Sequence, residues 1–175
     1  MRSVFLWLAR GLLAVLAILA GAAGPGAFAL EEHGAEGANV SAWAGLPTIG
    51  PLLRERDADR FSFAIQGDKT SGGEGKWPVF DRAVDAINLL RPDFVITVGD
   101  QIPGHMQERA QWDAEWAEYL GHARRLEAPL LLAVGNHDIA NVECYAFWKQ
   151  DFGRTYYSFD YAGCHFLILN TEEER

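Results

Sequence analysis

Positive charge is what this chain has least to spare: 15 Lys and Arg stand against 24 Asp and Glu, for a net charge of −9 over 175 residues. No basic stripe is left to track a phosphate backbone, which argues against nucleic-acid binding. An anionic ligand would have to be held by cations, because the surface as a whole repels it. Cysteine is nearly missing as well. Cys144 and Cys164 are the only two, and neither has a base at a spacing that would make a nucleophile of it. They read equally well as one disulfide or as two buried thiols. The apolar core of the N-terminal stretch is short for a spanning helix, which needs about 20 residues, and no internal repeat or low-complexity tract is present.

What is there begins with an export signal. Arg2 and Arg10 flank a hydrophobic start, Leu12–Ala20 is an apolar stretch, and Ala27-Phe28-Ala29 fits a small-x-small cleavage site. The expectation is a signal peptide over residues 1–29, cut after Ala29, with an uncleaved anchor as its rival. Cleavage would take the net charge to −11, since both charges lost are positive. A periplasmic or extracellular location follows. Residues 30–60, rich in Gly, Ala, Glu and Pro, read as a linker that becomes ordered near Leu52.

From residue 61 the chain alternates. Phe61–Gln66, Phe94–Val98 and Leu130–Val134 are short apolar runs of strand type. A helix is predicted over 78–90, with Pro78 in its first turn and Val79, Ala83, Ala86, Ile87 and Leu90 on one face. A second spans 108–126, where Trp112, Trp116, Tyr119, Leu120 and Ala123 recur at core spacing. Two successive βαβ units imply a parallel sheet. A short helix over 142–152 follows, then an antiparallel hairpin, 155–161 and 164–170, around Ala162-Gly163.

The three buried runs end alike, in Gly67-Asp68, Gly99-Asp100 and Gly135-Asn136-His137-Asp138. In open α/β sheets the carboxyl ends of the strands are where ligands bind. Oxygen donors from Asp and Asn, with one imidazole, suit a hard or borderline divalent metal. An Asp there can bridge two metals, and an Asn carbonyl completes a shell without adding charge. His137 is placed to protonate a leaving oxygen, with Asp138 fixing its orientation. One Gly-Asp is an ordinary turn element; three such ends in one chain are not.

These motifs resemble the calcineurin-like metallophosphoesterase family, in its exported branch, over residues 61–170. The family's pattern is Asp-x-His, Gly-Asp-x-x-Asp, Gly-Asn-His-Asp or Glu, a lone His, and Gly-His-x-His. The resemblance implies that Asp68 ligates a first metal, Asp100 bridges both, and Asn136 ligates the second. It makes His137 the group that stabilises the transition state or protonates the leaving group. It also implies two divalent cations in the complete domain, with manganese, iron and zinc as candidates, and a metal-activated hydroxide attacking a phosphoester substrate. The implied fold is the first half of a four-layer α-β-β-α sandwich, a parallel βαβαβ followed by an antiparallel hairpin, covering 61–175 and truncated at the C-terminus. An unfinished second sheet would leave an open edge and an uncovered face.

Two positions depart from the pattern: Thr70 stands where the family has His, and Pro103 where it has the last Asp of its second motif. The sequence stops at Arg175, before the later His motifs. The alternative expectation is therefore a non-catalytic metal-binding or interaction module on a degenerate half-domain. Of the other histidines, His165 sits in a strand with a cross-strand role, His122 faces solvent on the second helix, and His33 lies in the linker. His105, in the loop after Asp100, is within reach of the site, but it reads first as a surface-loop residue whose spacing matches no motif. The glycine-rich stretch Gly72–Lys76 fails the spacing of a phosphate-binding P-loop. It reads as a rim on which Lys69, Lys76 and Gln101 are candidate substrate contacts.

Overall fold

The computed structural model describes residues 4–6, 16–20, 46–51, 60–69 and 76–172. The strands are β1 (Val4–Leu6), β2 (Leu16–Ala20), β3 (Thr48–Ile49), β4 (Phe63–Gln66), β5 (Phe94–Thr97), β6 (Leu130–Leu131), β7 (Tyr157–Tyr161) and β8 (Cys164–Ile168). The helices are α1 (Lys76–Leu90), α2 (Arg109–Ala123) and α3 (Val142–Asp151). The chain is an α/β fold. One sheet is mixed, in the order β3-β6-β5-β4, and the other is antiparallel, in the order β1-β2-β8-β7.

The mixed sheet carries the predicted βαβαβ unit. β4 runs parallel to β5, from Phe63 against Phe94 to Gln66 against Thr97, and β5 runs parallel to β6. All four residues of β5 are buried, as a strand covered on both faces requires. Alternation along the strands divides two cores. Val95, Leu130, Leu132 and Val134 face the helices, packing with Phe80, Val84, Trp112, Trp116, Tyr119 and Trp148. Phe94, Ile96, Leu131 and Ala133 face the antiparallel sheet and meet Tyr157, Phe159, Tyr161, Phe166 and Ile168. Phe94 makes edge-on contacts with Phe159, Tyr161 and Phe166 at centroid distances of 5.7, 5.1 and 5.3 Å, the geometry aromatic quadrupoles favour. The β7–β8 hairpin turns through Ala162 and Gly163, with φ of 47° and 75°, and two left-handed residues are what a two-residue turn between twisted strands calls for.

Several expectations are corrected. The core face of α1 is formed by Trp77, Phe80, Val84 and Ile87. Val79 and Leu90 are 61% and 75% exposed, and Ala83 and Ala86 are exposed too. Two apolar stripes overlap on this helix, and the aromatic one wins because it buries more area. Pro78 lies in the first turn, where its missing N–H costs nothing. Order begins before Leu52. Leu46 packs into the inter-sheet core, and Ile49 is buried among the helix-side residues. β3 pairs antiparallel with β6, and the Pro47 carbonyl accepts the Leu132 N–H at 2.8 Å. Cys144 lies in the helix-side core and Cys164 borders the inter-sheet core, so the two thiols are free on opposite sides of the mixed sheet. Burial pushes the Cys144 thiol up in pKa, which keeps it protonated and inert. No helix among the described residues is long and apolar enough to cross a membrane.

Candidate functional site

The carboxyl ends of β4, β5 and β6 meet at one edge of the mixed sheet. The Gln66 carbonyl accepts the Val98 N–H at 3.2 Å, and the Asp100 carbonyl accepts the Lys69 N–H at 3.2 Å. Gly99, at φ 96°, lies directly against Gly135. A Cβ on Gly99 would overlap the Gly135 backbone, and a Cβ on Gly135 would overlap the Asp100 carboxylate. The glycines of two motifs are thus required by contact with one another. Asp100 itself sits in the left-handed region at φ 57°, a conformation that non-glycine residues seldom hold without a reason.

The Asp100 carboxyl is 2% exposed, and its Oδ1 accepts the His137 backbone N–H at 3.1 Å. Burial raises its pKa, the His137 N–H lowers it, and the charges of Asp68 and Glu172 raise it further. The charge of Asp68 therefore acts on Asp100. Glu172 joins them from the turn after β8, where the Asn170 side-chain oxygen accepts its N–H at 2.8 Å. Nothing in the sequence pointed to Glu172, because its approach depends on how the hairpin returns to the sheet edge.

Asp138 does not orient the His137 ring. Its carboxylate is fully buried and accepts four backbone N–H groups: Gly135 and Asp100 at 2.8 Å, Gln101 at 2.9 Å and Ile102 at 3.3 Å. It is a clasp between the loop after β5 and the loop after β6. Burial pushes its pKa up to about 7, against the pull of the Gly135 N–H. The group that fixes the imidazole of His137 is the Pro103 carbonyl, 2.6 Å from Nδ1. A carbonyl can only accept, so Nδ1 carries the hydrogen and Nε2 is left for proton transfer.

The remaining candidates divide. Asn136 is half-buried beside His137. Gln101 is buried, its amide donating to Thr97 Oγ1 at 2.6 Å and to the Ala133 carbonyl at 2.9 Å, so it supports the strand ends and does not reach a substrate. Lys69 places its ammonium 3.8 Å from the Trp77 ring centre, a cation–π contact. His122 does not simply face solvent. Its ring stacks on Trp77 at 4.0 Å, and its Nδ1 lies 2.7 Å from Asp81 Oδ1. His165 pairs across the hairpin with Asp160 at 2.7 Å, as expected. His105 does approach the site, its ring 5.2 Å from that of His137 and perpendicular to it. Thr70, His33 and the side chain of Lys76 lie outside the described residues.

Among the described residues no group of three or more His, Cys, Asp or Glu side chains is close enough to hold a metal on its own. The donor set fits a divalent cation all the same. Asp68 and Glu172 both repel the Asp100 charge, a cation beside Asp100 would offset that repulsion, and Asn136 adds a neutral oxygen.

Comparison with known proteins agrees with this geometry. The model of the calcineurin-like phosphoesterase family matches residues 61–172. The chain is 35% identical over 118 residues to the serine/threonine-protein phosphatase CPPED1 of Bos taurus, an alignment covering 61% of this chain and 37% of the relative. The Homo sapiens protein of that name gives the same identity and coverage. The Rattus norvegicus one is 33% identical over 100 residues, covering 53% of this chain and 31% of the relative. The chain thus spans about a third of the length of these relatives. No solved structure matches it. With Gly-Asp, Gly-Asp and Gly-Asn-His-Asp at three adjoining strand ends, and the family model matching from β4 through the β7–β8 hairpin, the chain belongs to the calcineurin-like phosphoesterase family.

Proposed function

We propose that the protein hydrolyses phosphoester bonds with divalent cations held at the joined ends of β4, β5 and β6. The observation that carries this is the placement of Asp100. A buried carboxylate is held in a strained conformation between Asp68 and the Asn136-His137 pair, with like charges that call for a cation. Asp68, Asp100 and Asn136 are the residues that would hold the cations. When bound, such cations lower the pKa of water and draw off phosphoryl charge. The chain's own residues do the rest. The Asp138 clasp sets the distance between two of the ligand-bearing loops. Pro103 fixes the ring of His137, and with a hydrogen on each ring nitrogen His137 gives the one on Nε2 to the departing oxygen while Nδ1 keeps its hydrogen toward Pro103.

Three further readings belong with this one. The three layers observed, helices, mixed sheet and antiparallel sheet, are the first part of a four-layer sandwich. The protein is exported, with residues 1–29 as a cleaved leader. Its substrate is a phosphorylated small molecule or another phosphoester, by analogy with relatives named as phosphatases.

The test is turnover of p-nitrophenyl phosphate by the full natural chain after loading with manganese, iron or zinc, with metal counted per chain. Two cations and turnover are expected. His137→Ala should lower kcat by about 100-fold to 10,000-fold while retaining both metals. One weak cation and no turnover would turn the reading to a non-catalytic metal-binding module.

A further inference from the structure

The loop between β5 and α2 is held more tightly than its exposed position requires. The Gly104 N–H donates to Glu115 Oε2 at 3.0 Å. The Met106 carbonyl accepts from Asn141 Nδ2 at 2.9 Å and from the Cys144 thiol at 3.3 Å, and the Pro103 carbonyl meets His137 Nδ1 at 2.6 Å. Gly104, at φ 70°, lies so close to the His137 carbonyl that a Cβ there would overlap it. Between these anchors His105 is forced into the left-handed region at φ 65°. Its side chain is exposed and stands perpendicular to the ring of His137, 5.2 Å away.

A strained residue persists only where its surroundings over-determine it, and such residues gather at sites that bind or react. Here the surroundings fix a backbone and leave the imidazole open. Nothing in the core needs this side chain, and glycine would adopt the same φ without strain. What the conformation achieves is to bring a second imidazole beside the first.

We propose that His105 is a substrate-binding residue whose ring N–H donates to an oxygen of the phosphoester beside His137. This rests on the phosphoesterase reading of the site. Such a bond to a charged oxygen is lost without a substitute when the ring is removed, and it is worth on the order of tenfold in affinity.

The test uses the full natural chain, metal-loaded, with His105→Gly and His105→Asn. Glycine removes the ring and relieves the strain, whereas asparagine tolerates the left-handed region and keeps an N–H donor. Two quantities are read for each: KM and kcat for p-nitrophenyl phosphate, and the dissociation constant for inorganic phosphate by calorimetry. The expected result for His105→Gly is a rise of about tenfold in both KM and the phosphate constant, with kcat, metal content and Tm held. Asparagine should recover part of the loss. Unchanged KM and phosphate affinity in His105→Gly would overturn the proposal, and so would a loss that tracks lost metal or lowered Tm. A parent protein that neither turns over nor binds phosphate when loaded would overturn the phosphoesterase reading and this proposal with it.

Discussion

Asp138 and Arg109 each make four hydrogen bonds, and they occupy opposite circumstances. Asp138 is wholly buried and gathers the backbone N–H groups of Gly135, Asp100, Gln101 and Ile102. Arg109 stands at the outer surface, where α2 begins and α3 ends. It reaches Asp113 at 2.7 Å, both oxygens of Asp151 at 2.8 Å and Gln150 at 3.1 Å. The arginine's bonds are, if anything, the shorter. Their worth differs because water competes for one hub and not the other. A guanidinium released at the surface is hydrated at once, whereas four amides deprived of a buried acceptor have nowhere to turn. Neither the number nor the length of hydrogen bonds ranks these hubs; the solvent each would meet on breaking does.

The largest effect expected from breaking that comparison is Asp138→Ala. Removing the acceptor should cost several kcal/mol, on the order of 1–3 kcal/mol for each buried amide left without a partner. It should also separate the two ligand-bearing loops, so that metal binding is lost with stability, read by denaturant titration and metal content. Asp138→Asn sharpens the point, since it keeps one acceptor oxygen and brings an NH₂ group against backbone donors. Its loss should fall between the parent and Ala. Next comes Gly135→Ala. Its Cβ would overlap the Asp100 carboxylate, and forcing it in should cost about 1–3 kcal/mol. Because the displaced group is Asp100 itself, metal affinity should fall more steeply than Tm. The smallest effect is Arg109→Ala, about 0.2–1 kcal/mol for exposed pairs and less at high salt, with metal content unchanged. An Arg109 effect matching that of Asp138 would sink the argument from solvent.

Much of this site was legible because its motifs sit where buried strands must end. Phe94–Val98 and Leu130–Val134 are apolar enough to be central strands, and a glycine after each marks the turn. The same pattern sets Asp68, Asp100 and Asn136 along one edge. The contacts between the loops were not legible. Asp138 lies beside His137 in sequence, which suggested a partner for its ring, yet its carboxylate turns to amides of Asp100, Gln101 and Ile102, more than 35 residues away. The place of His105 in the loop after Asp100 puts it within reach of the site, but residue spacing carries no information about a left-handed φ imposed from outside the loop. The buried face of α1 is not legible in the sequence, because Val79, Ala83, Ala86 and Leu90 form as regular a stripe as Trp77, Phe80, Val84 and Ile87. Only the sheet beneath decides between them. β3 has two residues, too few to display a period.

The Asp138 clasp has a consequence for motion. The amides it holds belong to two loops far apart along the chain, but they share a single acceptor. Freeing any one of them by moving that carboxylate frees the rest, so these amides should exchange with solvent in one opening event, at one rate, although their local sequences differ. The site edge therefore has no half-open form in which one loop swings while the other stays in register. It is assembled as a unit or not at all.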